Sequence, residues 1–355
     1  MQAKQNEKVI NSIKKSFKKQ VQKDKRLKSA FLLVHSEKKG IHLKIAEGSM
    51  NLDQPIYVAS VGKIFTSVII SILYERGQLT FDDAITKYLD LSLIQNLHVY
   101  KGKDYIKHIK IKHLLNHTSG LRDNFYPLLR KLVDDQDFNM NPQETITWAK
   151  IHQKPLFSPG NGFNYSNTNY QLLGLIIERV TGLPFHVVMK QYIYQPLGMM
   201  NSSILHDSEP LDKDTQQLAN FYVNQNNITN HKGHARLAYA GGGVVSTGED
   251  LLKFMKALSS YQLVKKETLK KMMNDKTKYS IGIDYGYGLM QFKTVPLLMP
   301  KIFNVWGHAG GTGAYMFYHP KMDTYLIGTF NDFSYERKGV KFMLTKVISQ
   351  LAKLK

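Results

Sequence analysis

Ser60-Val-Gly-Lys63 sets a hydroxyl and an amine three residues apart at the start of an apolar-periodic segment. On a helix, positions i and i+3 lie side by side, so the amine can reach the hydroxyl. A helix start also surrounds Ser60 with free N–H groups and the positive end of the dipole. Burial lowers a lysine pKa and lets it accept the serine proton, which makes Ser60 a candidate nucleophile. The competing reading is a Ser60 N-cap beside a solvated Lys63. The same Ser-x-x-Lys spacing recurs at Ser12, Ser16 and Ser36, so position at the head of a buried helix is what distinguishes Ser60.

Two further clusters carry chemistry. Tyr165-Ser-Asn167 follows Ser158-Pro-Gly160 and precedes a helical pattern over 170–180. A tyrosine near a lysine gives up its proton more easily and can act as general base or acid. Asn167 offers a donor and an acceptor to a substrate amide; the alternative is an Asn-rich helix cap. In Trp306-Gly-His-Ala-Gly-Gly-Thr-Gly-Ala-Tyr315, glycines ahead of a strand let the backbone approach a ligand. The Gly311 N–H could then join that of Ser60 as an oxyanion hole, with His308 as a polar or cationic contact. A flexible Gly-rich connector or a phosphate loop is the alternative. The Walker and dinucleotide fingerprints are absent, and no cofactor is expected.

The elements that must position these residues follow from periodicity. Phe31–Val34 and Ile41–Ile45 around Lys38-Lys-Gly40 read as a hairpin. Val61, Ile64, Phe65, Val68, Ile69, Ile72 and Leu73 mark an amphipathic helix closed by Gly77. Helices are expected at 111–116, 142–152, 170–181 and 250–258. A second hairpin spans 313–330, and a final helix presents Val340, Leu344, Val347, Ile348 and Leu351. Strands at both ends, with helices between, predict an α/β fold of the α+β type: one antiparallel sheet built from both termini and a mostly helical inserted region. The expected division is a basic amphipathic tail over 1–28 and one domain over 29–355. Within that domain the sheet region covers about 29–80 and 300–355, with helices and loops over about 81–299.

The 355 residues contain no cysteine, which excludes thiol nucleophiles, thiolate zinc sites and iron–sulfur clusters. Net charge is +20, and residues 1–28 hold ten basic residues against Glu7 and Asp24. Ile10, Ile13, Phe17 and Val21 give this segment a helical apolar stripe, so it reads as a solvated or frayed helix, or as a contact for an anionic wall polymer or membrane surface. It lacks the apolar stretch of a secretory signal. No nucleic-acid module accompanies the charge, and no nucleic-acid partner is expected. His113/His117 and His231/His234 have metal-ligand spacing but no acidic partner, and no metal site is expected.

Ser-x-x-Lys, then Tyr-x-Asn, then His-x-Gly, in this order, resembles the serine β-lactamase and penicillin-binding family, in the branch of class C β-lactamases, D,D-peptidases and related esterases. Leu114-Leu-Asn-His-Thr-Ser-Gly-Leu121, Pro196-Leu-Gly-Met199 and Ala240-Gly-Gly-Gly-Val-Val-Ser-Thr247 extend the resemblance from about residue 30 to 350. It implies a β-lactamase/transpeptidase-like fold with the site in a cleft between sheet and helices. By position it implies Ser60 as acylated nucleophile, Lys63 as its proton acceptor or electrostatic partner, and Tyr165 as base or acid. Asn167, His308, Gly310 and Gly311 would bind substrate. His308 stands where many relatives have lysine, which points away from efficient β-lactam hydrolysis and toward an esterase or peptidase.

The expected function is therefore a D,D-peptidase, carboxypeptidase or esterase acting on bacterial cell-envelope material through a Ser60 acyl-enzyme. The alternatives are a β-lactamase proper, a penicillin-like sensor with little turnover, or a polyanion-binding protein on a hydrolase scaffold. An extracytoplasmic location is expected, with any export signal absent from this chain.

Overall fold

A computed structural model describes residues 2–354. Its centre is an antiparallel sheet of eight strands: β1 (Ser29–Ser36), β2 (Ile41–Gly48), β3 (Thr277–Ser280), β4 (Ile283–Tyr285), β5 (Met290–Phe292), β6 (Trp306–Ala309), β7 (Tyr315–His319) and β8 (Thr324–Thr329). Their spatial order is β3-β4-β5-β6-β7-β8-β1-β2. The two ends of the chain meet within the sheet, one strand in from the β2 edge, where Leu32 is registered with Gly328 and Val34 with Leu326.

Strand β1 is covered on both faces. Phe31 and Leu33 join the core under the helical region, whereas Ala30, Leu32 and Val34 join a second core on the opposite face. Side chains alternate along a strand, so an almost continuous apolar run means two packed layers.

The second layer is made by both chain termini and corrects the expected domain division. Helix α1 (Gln2–Lys23) buries Val9, Ile13, Phe17 and Val21, with Ile10 at the margin. Phe17 is fully buried and meets the Phe330 and Phe342 rings at 5.9 and 5.7 Å. The basic segment is thus part of the domain; only its outer face is solvated. A C-terminal helix beside it starts at Glu336–Phe342 and continues through wider turns to Leu351. The sheet region also begins earlier than expected. Strands β3 to β5 lie within 277–292, where three- and four-residue strands broken by Gly282, Gly286 and Gly288 are too short to show a period.

On the other face, α2 (Gly62–Glu75) is buried from Gly62 to Leu73. Outside it lie α3 (Phe125–Asp134), α4 (Pro142–His152), α5 (Asn167–Thr181), α6 (Lys232–Gly242) and α7 (Gly248–Ser259): α5 and α6 pack directly on α2, α3 packs on α6 and α4 on α5. Phe65 of α2 stacks on Phe254 of α7 with ring centres 3.7 Å apart. The polar stripe of α2 does not face water. Thr66 Oγ1 donates to Ala240 O, Ser67 hydrogen-bonds Tyr170, and Ser71 Oγ donates to Ser67 O. No single described helix is long and apolar enough to cross a membrane.

Candidate active site

Ser60 lies in a single 3-10 turn, Ala59–Val61, leading into α2. The chain enters from the short strand Ile56–Tyr57 through Ala59, whose φ of +48° is strained for a residue with a Cβ. The Ser60 hydroxyl caps no helix: the residues preceding the turn and α2 are Val58 and Val61, neither with a side-chain cap. It points into a cavity of about 770 Å³ shared with Tyr165, Asn167, Ala309 and Gly311.

Lys63 lies behind Ser60 and is completely buried. Its Nζ is 3.2 Å from Ser60 Oγ, 2.6 Å from Asn167 Oδ1 and 2.6 Å from Gly241 O. The last two atoms can only accept. A neutral amine has two N–H groups for them, and its lone pair then faces the Ser60 O–H. Burial lowers the Lys63 pKa to about 7, although the Asp123 charge works against the shift. An amine that is half neutral near pH 7 is a competent general base.

Both acceptors are supplied by specific local structure. Helix α6 breaks at Tyr239 (φ 36°, ψ −131°), so the Gly241 carbonyl leaves the helical ladder and is free to meet Lys63. A Cβ on Gly242 would come 3.0 Å from Ala59 C, so the glycines at 241–243 permit this close backbone approach. Asn167 is the first residue of α5. Its Nδ2 and backbone N–H both donate to Asp123 Oδ1, at 2.9 and 2.7 Å. Asp123 accepts only, and this orients the Asn167 amide. The polar atoms expected to hold a substrate amide are engaged instead in positioning Lys63, although Asn167 also lines the cavity.

Tyr165 lies in the loop before α5, with Lys63 Nζ 5.0 Å from its ring centre. Burial drives its pKa well above the usual value, and a hydrogen-bonding contact with Ser60 offsets only part of that. The expectation of an easily ionised phenol is reversed: burial keeps the proton on Tyr165 at neutral pH.

His308 is corrected further. It lies on β6, fully buried, and does not line the cavity. Burial first, then the Lys63 charge, push its pKa down to about 3. Nδ1 lies 2.6 Å from Ala309 O, which only accepts, so Nδ1 carries the hydrogen and Nε2 takes the Tyr285 O–H at 2.9 Å. The ring is neutral and has no donor left for a substrate. Gly310 is likewise not a cavity residue. Its N–H donates to Ala314 O, and a Cβ there would come 2.4 Å from Val58 O, so it seats β6 against the Ser60 turn. Residues 310–314 form the tight turn between β6 and β7, closed by the Gly310 N–H to Ala314 O and Gly313 N–H to Gly310 O hydrogen bonds. The Gly311 N–H has no acceptor among the described residues and lies in the cavity wall with Ser60.

Sequence reasoning missed Asp123 and the task of His117. His117 O accepts from Asn164 N–H and His117 Nδ1 from Ser166 N–H, so it grips the loop on both sides of Tyr165. Its ring packs on Tyr165 with centres 4.3 Å apart, and burial holds it neutral. Its motif neighbour His113 is turned to its own helix, where Nδ1 accepts the Lys110 N–H. Among the described residues no cluster could hold a metal ion.

Comparison with known proteins identifies the family and the fold. Penicillin-binding protein 4* of Bacillus subtilis (strain 168) is 27% identical over 302 residues, covering 80% of this chain; the chain spans 63% of that relative's length. A D-stereospecific amidohydrolase from Streptomyces sp. superposes with a TM-score of 0.78 at 23% identity, covering 94% of this chain and 98% of the other. D-amino acid amidase from Ochrobactrum anthropi SV3 gives 0.79 at 21%, covering 98% and 100%. These two likenesses speak for the shared fold. The profile of the Beta-lactamase family matches residues 14–346, starting inside α1 and ending in the C-terminal helix. With that span matched, the chain belongs to the Beta-lactamase family.

Proposed function

We propose that the protein is a serine acyl-transfer hydrolase that cleaves an ester, or a D-amino-acyl or D,D-peptide bond, in cell-envelope material. The observation that carries this reading is the Lys63 amine, with its two N–H groups committed to Asn167 Oδ1 and Gly241 O and its third direction on Ser60 Oγ. Lys63 takes the Ser60 proton as Oγ attacks the carbonyl carbon. The Ser60 and Gly311 N–H groups receive the oxyanion. Tyr165 protonates the leaving atom and is reprotonated from the Lys63 ammonium. Water entering by the reverse route then frees Ser60.

The neutral His308 provides no cation for a carboxylate beside β6, which favours an ester or a D-amino-acyl amide over a β-lactam and, within the proposed range, over a D,D-peptide ending in a free carboxylate. The names of the relatives, a penicillin-binding protein and D-amino acid amidases, support the same range of substrates. Intact-mass measurement after exposure to a short ester, a D-Ala-D-Ala peptide and a penicillin tests the reading. An acyl adduct on wild-type protein and none on Ser60→Ala is expected. Equal absence of adducts from both proteins, with a fluorophosphonate also failing to label, would sink it.

The exposed lysines of α1, among them Lys14, Lys15, Lys18 and Lys19, support contact with an anionic wall polymer or membrane surface. Salt-sensitive sedimentation with phosphatidylglycerol vesicles, lost when these four become glutamate, is the expected result; binding unchanged by the four substitutions removes this part.

A further inference from the structure

The cavity has walls of two kinds. Near Asn167 it is polar, with Asp123 and Tyr126. Beyond Tyr165 it becomes a gallery between β4–β5 and the C-terminal helix, with Ile283, Phe292, Leu298, Phe303, Val340 and Leu344 as its apolar wall and the exposed Glu336, Arg337, Lys341 and Thr345 of the same helix lining it as well. Tyr165, Ile283, Phe303, Val340 and Leu344 all pack at the margin of one core cluster and are only partly buried by it. They border open space instead of filling it. Leu298 is 72% exposed and carries the apolar surface out to solvent. Apolar walls around an open volume are unfavourable in water unless something apolar occupies them. The whole cavity, about 770 Å³, is of the size that holds drug-sized ligands.

The side of the scissile bond follows from the proton route. Tyr165 is the group placed to protonate the departing atom, so the departing group lies on its side, where the gallery begins. We propose that the gallery binds an extended apolar chain on the leaving group: the substrate is an ester or amide of an alcohol or amine carrying an alkyl or arylalkyl tail. This rests on the Ser60 acyl-transfer reading. In the step itself, Ser60 Oγ bonds to the carbonyl carbon and the bond from that carbon to the tailed oxygen or nitrogen breaks. The serine proton passes to Lys63, and Tyr165 delivers one to the departing atom and is replenished by Lys63. The tailed alcohol or amine leaves neutral and the acyl group stays on Ser60.

Two ester series separate the sides of the bond: acetates of alcohols from ethyl to decyl, and ethyl esters of acids from acetyl to decanoyl. The acetate series should gain in kcat/KM by about 3-fold per methylene until the gallery is filled. The acyl series should show no such rise. A rise confined to the acyl series, or none in either, overturns the proposal. A measurement independent of turnover uses 1-decanol binding to Ser60→Ala protein. Leu298→Asp and Leu344→Arg, each added to it, should weaken binding at least tenfold while far-UV circular dichroism is unchanged. Leu298→Asp, at an exposed position, keeps the test valid if Leu344→Arg does not fold. Binding equal in Ser60→Ala and its Leu298→Asp derivative, or no saturable binding, overturns the gallery. Mutation-sensitive decanol binding with no acylation of the wild-type Ser60 overturns the acyl-transfer reading and with it the leaving-group assignment, while the apolar gallery stands as a binding site. Acylation without dependence on the leaving chain overturns this inference alone.

Discussion

Asn167 presents its amide oxygen, not its nitrogen, to Lys63 at 2.6 Å, and it does so because Asp123 takes both the side-chain and the backbone N–H of Asn167. A carboxylate, an amide and an amine are thereby strung in a line that ends at Ser60. The charge of Asp123 reaches Lys63 through this line as a field, while the acceptor touching the amine is neutral. Lysine thus stays buried without a direct counter-ion, and its pKa falls to about 7.

Replacing Lys63 should stop acylation. Lys63→Ala removes the proton acceptor, and a loss of about 10²–10⁴-fold in the labelling rate of Ser60 is expected. Lys63→Arg should lose as much, since a guanidinium does not deprotonate. A Lys63→Arg enzyme with near-normal labelling would assign the base elsewhere.

The acylation rate should rise with pH through a midpoint near 7, because the neutral form of Lys63 is the acceptor and its fraction grows as pH passes its pKa. Asp123→Asn removes the charge that raises this pKa, so the midpoint should move to lower pH by up to about one unit. His308, with its pKa near 3, should add no ionisation to the profile above pH 5. Stopped-flow acylation across pH 5–9 reads both effects.

Stability carries the same signature. Lys63 binds its proton below about 7 in the folded protein and below 10.5 when unfolded. Between these values the unfolded chain holds the extra proton, so the wild type should gain stability as pH rises from 7 toward 10.5. The gain approaches ~1.4 kcal/mol per pH unit and should be missing in Lys63→Met. Urea unfolding of both proteins at several pH values in this window gives the difference in slope. Parallel curves would mean an unperturbed lysine.

Gly242→Ala should impair the enzyme without touching a polar group. The added methyl would lie 3.0 Å from Ala59 C and 3.4 Å from Ser60 N, pressing on the turn that aims the hydroxyl. A fall in kcat of between about tenfold and a hundredfold is expected, with KM little changed. Retained kcat would show that the turn relaxes freely.

Phe17→Ala should cost about 3–5 kcal/mol in chemical unfolding, the usual range for a buried aromatic truncated to alanine. Phe17 is fully buried between Phe330 and Phe342. Glutamate at the exposed positions 14 or 18 should change stability by less than about 0.5 kcal/mol. Were α1 a detached tail, the two kinds of substitution would behave alike.

What the sequence shows of this site follows from where the information resides. Ser60 and Lys63 are neighbours on one helix, and i, i+3 spacing makes such a pair visible. Asp123 meets Asn167 across 44 positions in a loop with no period, so nothing nearby marks it. Gly241 contributes a carbonyl, which no residue type announces; only the crowding of glycines at 241–243 hints at a close backbone approach. The charge on His308 depends on burial against Tyr285 and Lys63, a property of the assembled cleft. The stripe Ile13, Phe17, Val21 on α1 was legible, but its partner was not, because that surface is created only when the sheet and the C-terminal helix have formed.

The pairing of β1 with β8 governs how the molecule comes into being. Leu32 cannot find Gly328 until almost the whole chain has been made, so the seam that joins β1 and β2 to the other six strands closes only at the end of synthesis. Such distant pairing is slow. Until it happens α1 lacks the sheet face and C-terminal helix on which Val9, Ile13, Phe17 and Val21 are buried, so the first segment to be made is among the last to be covered.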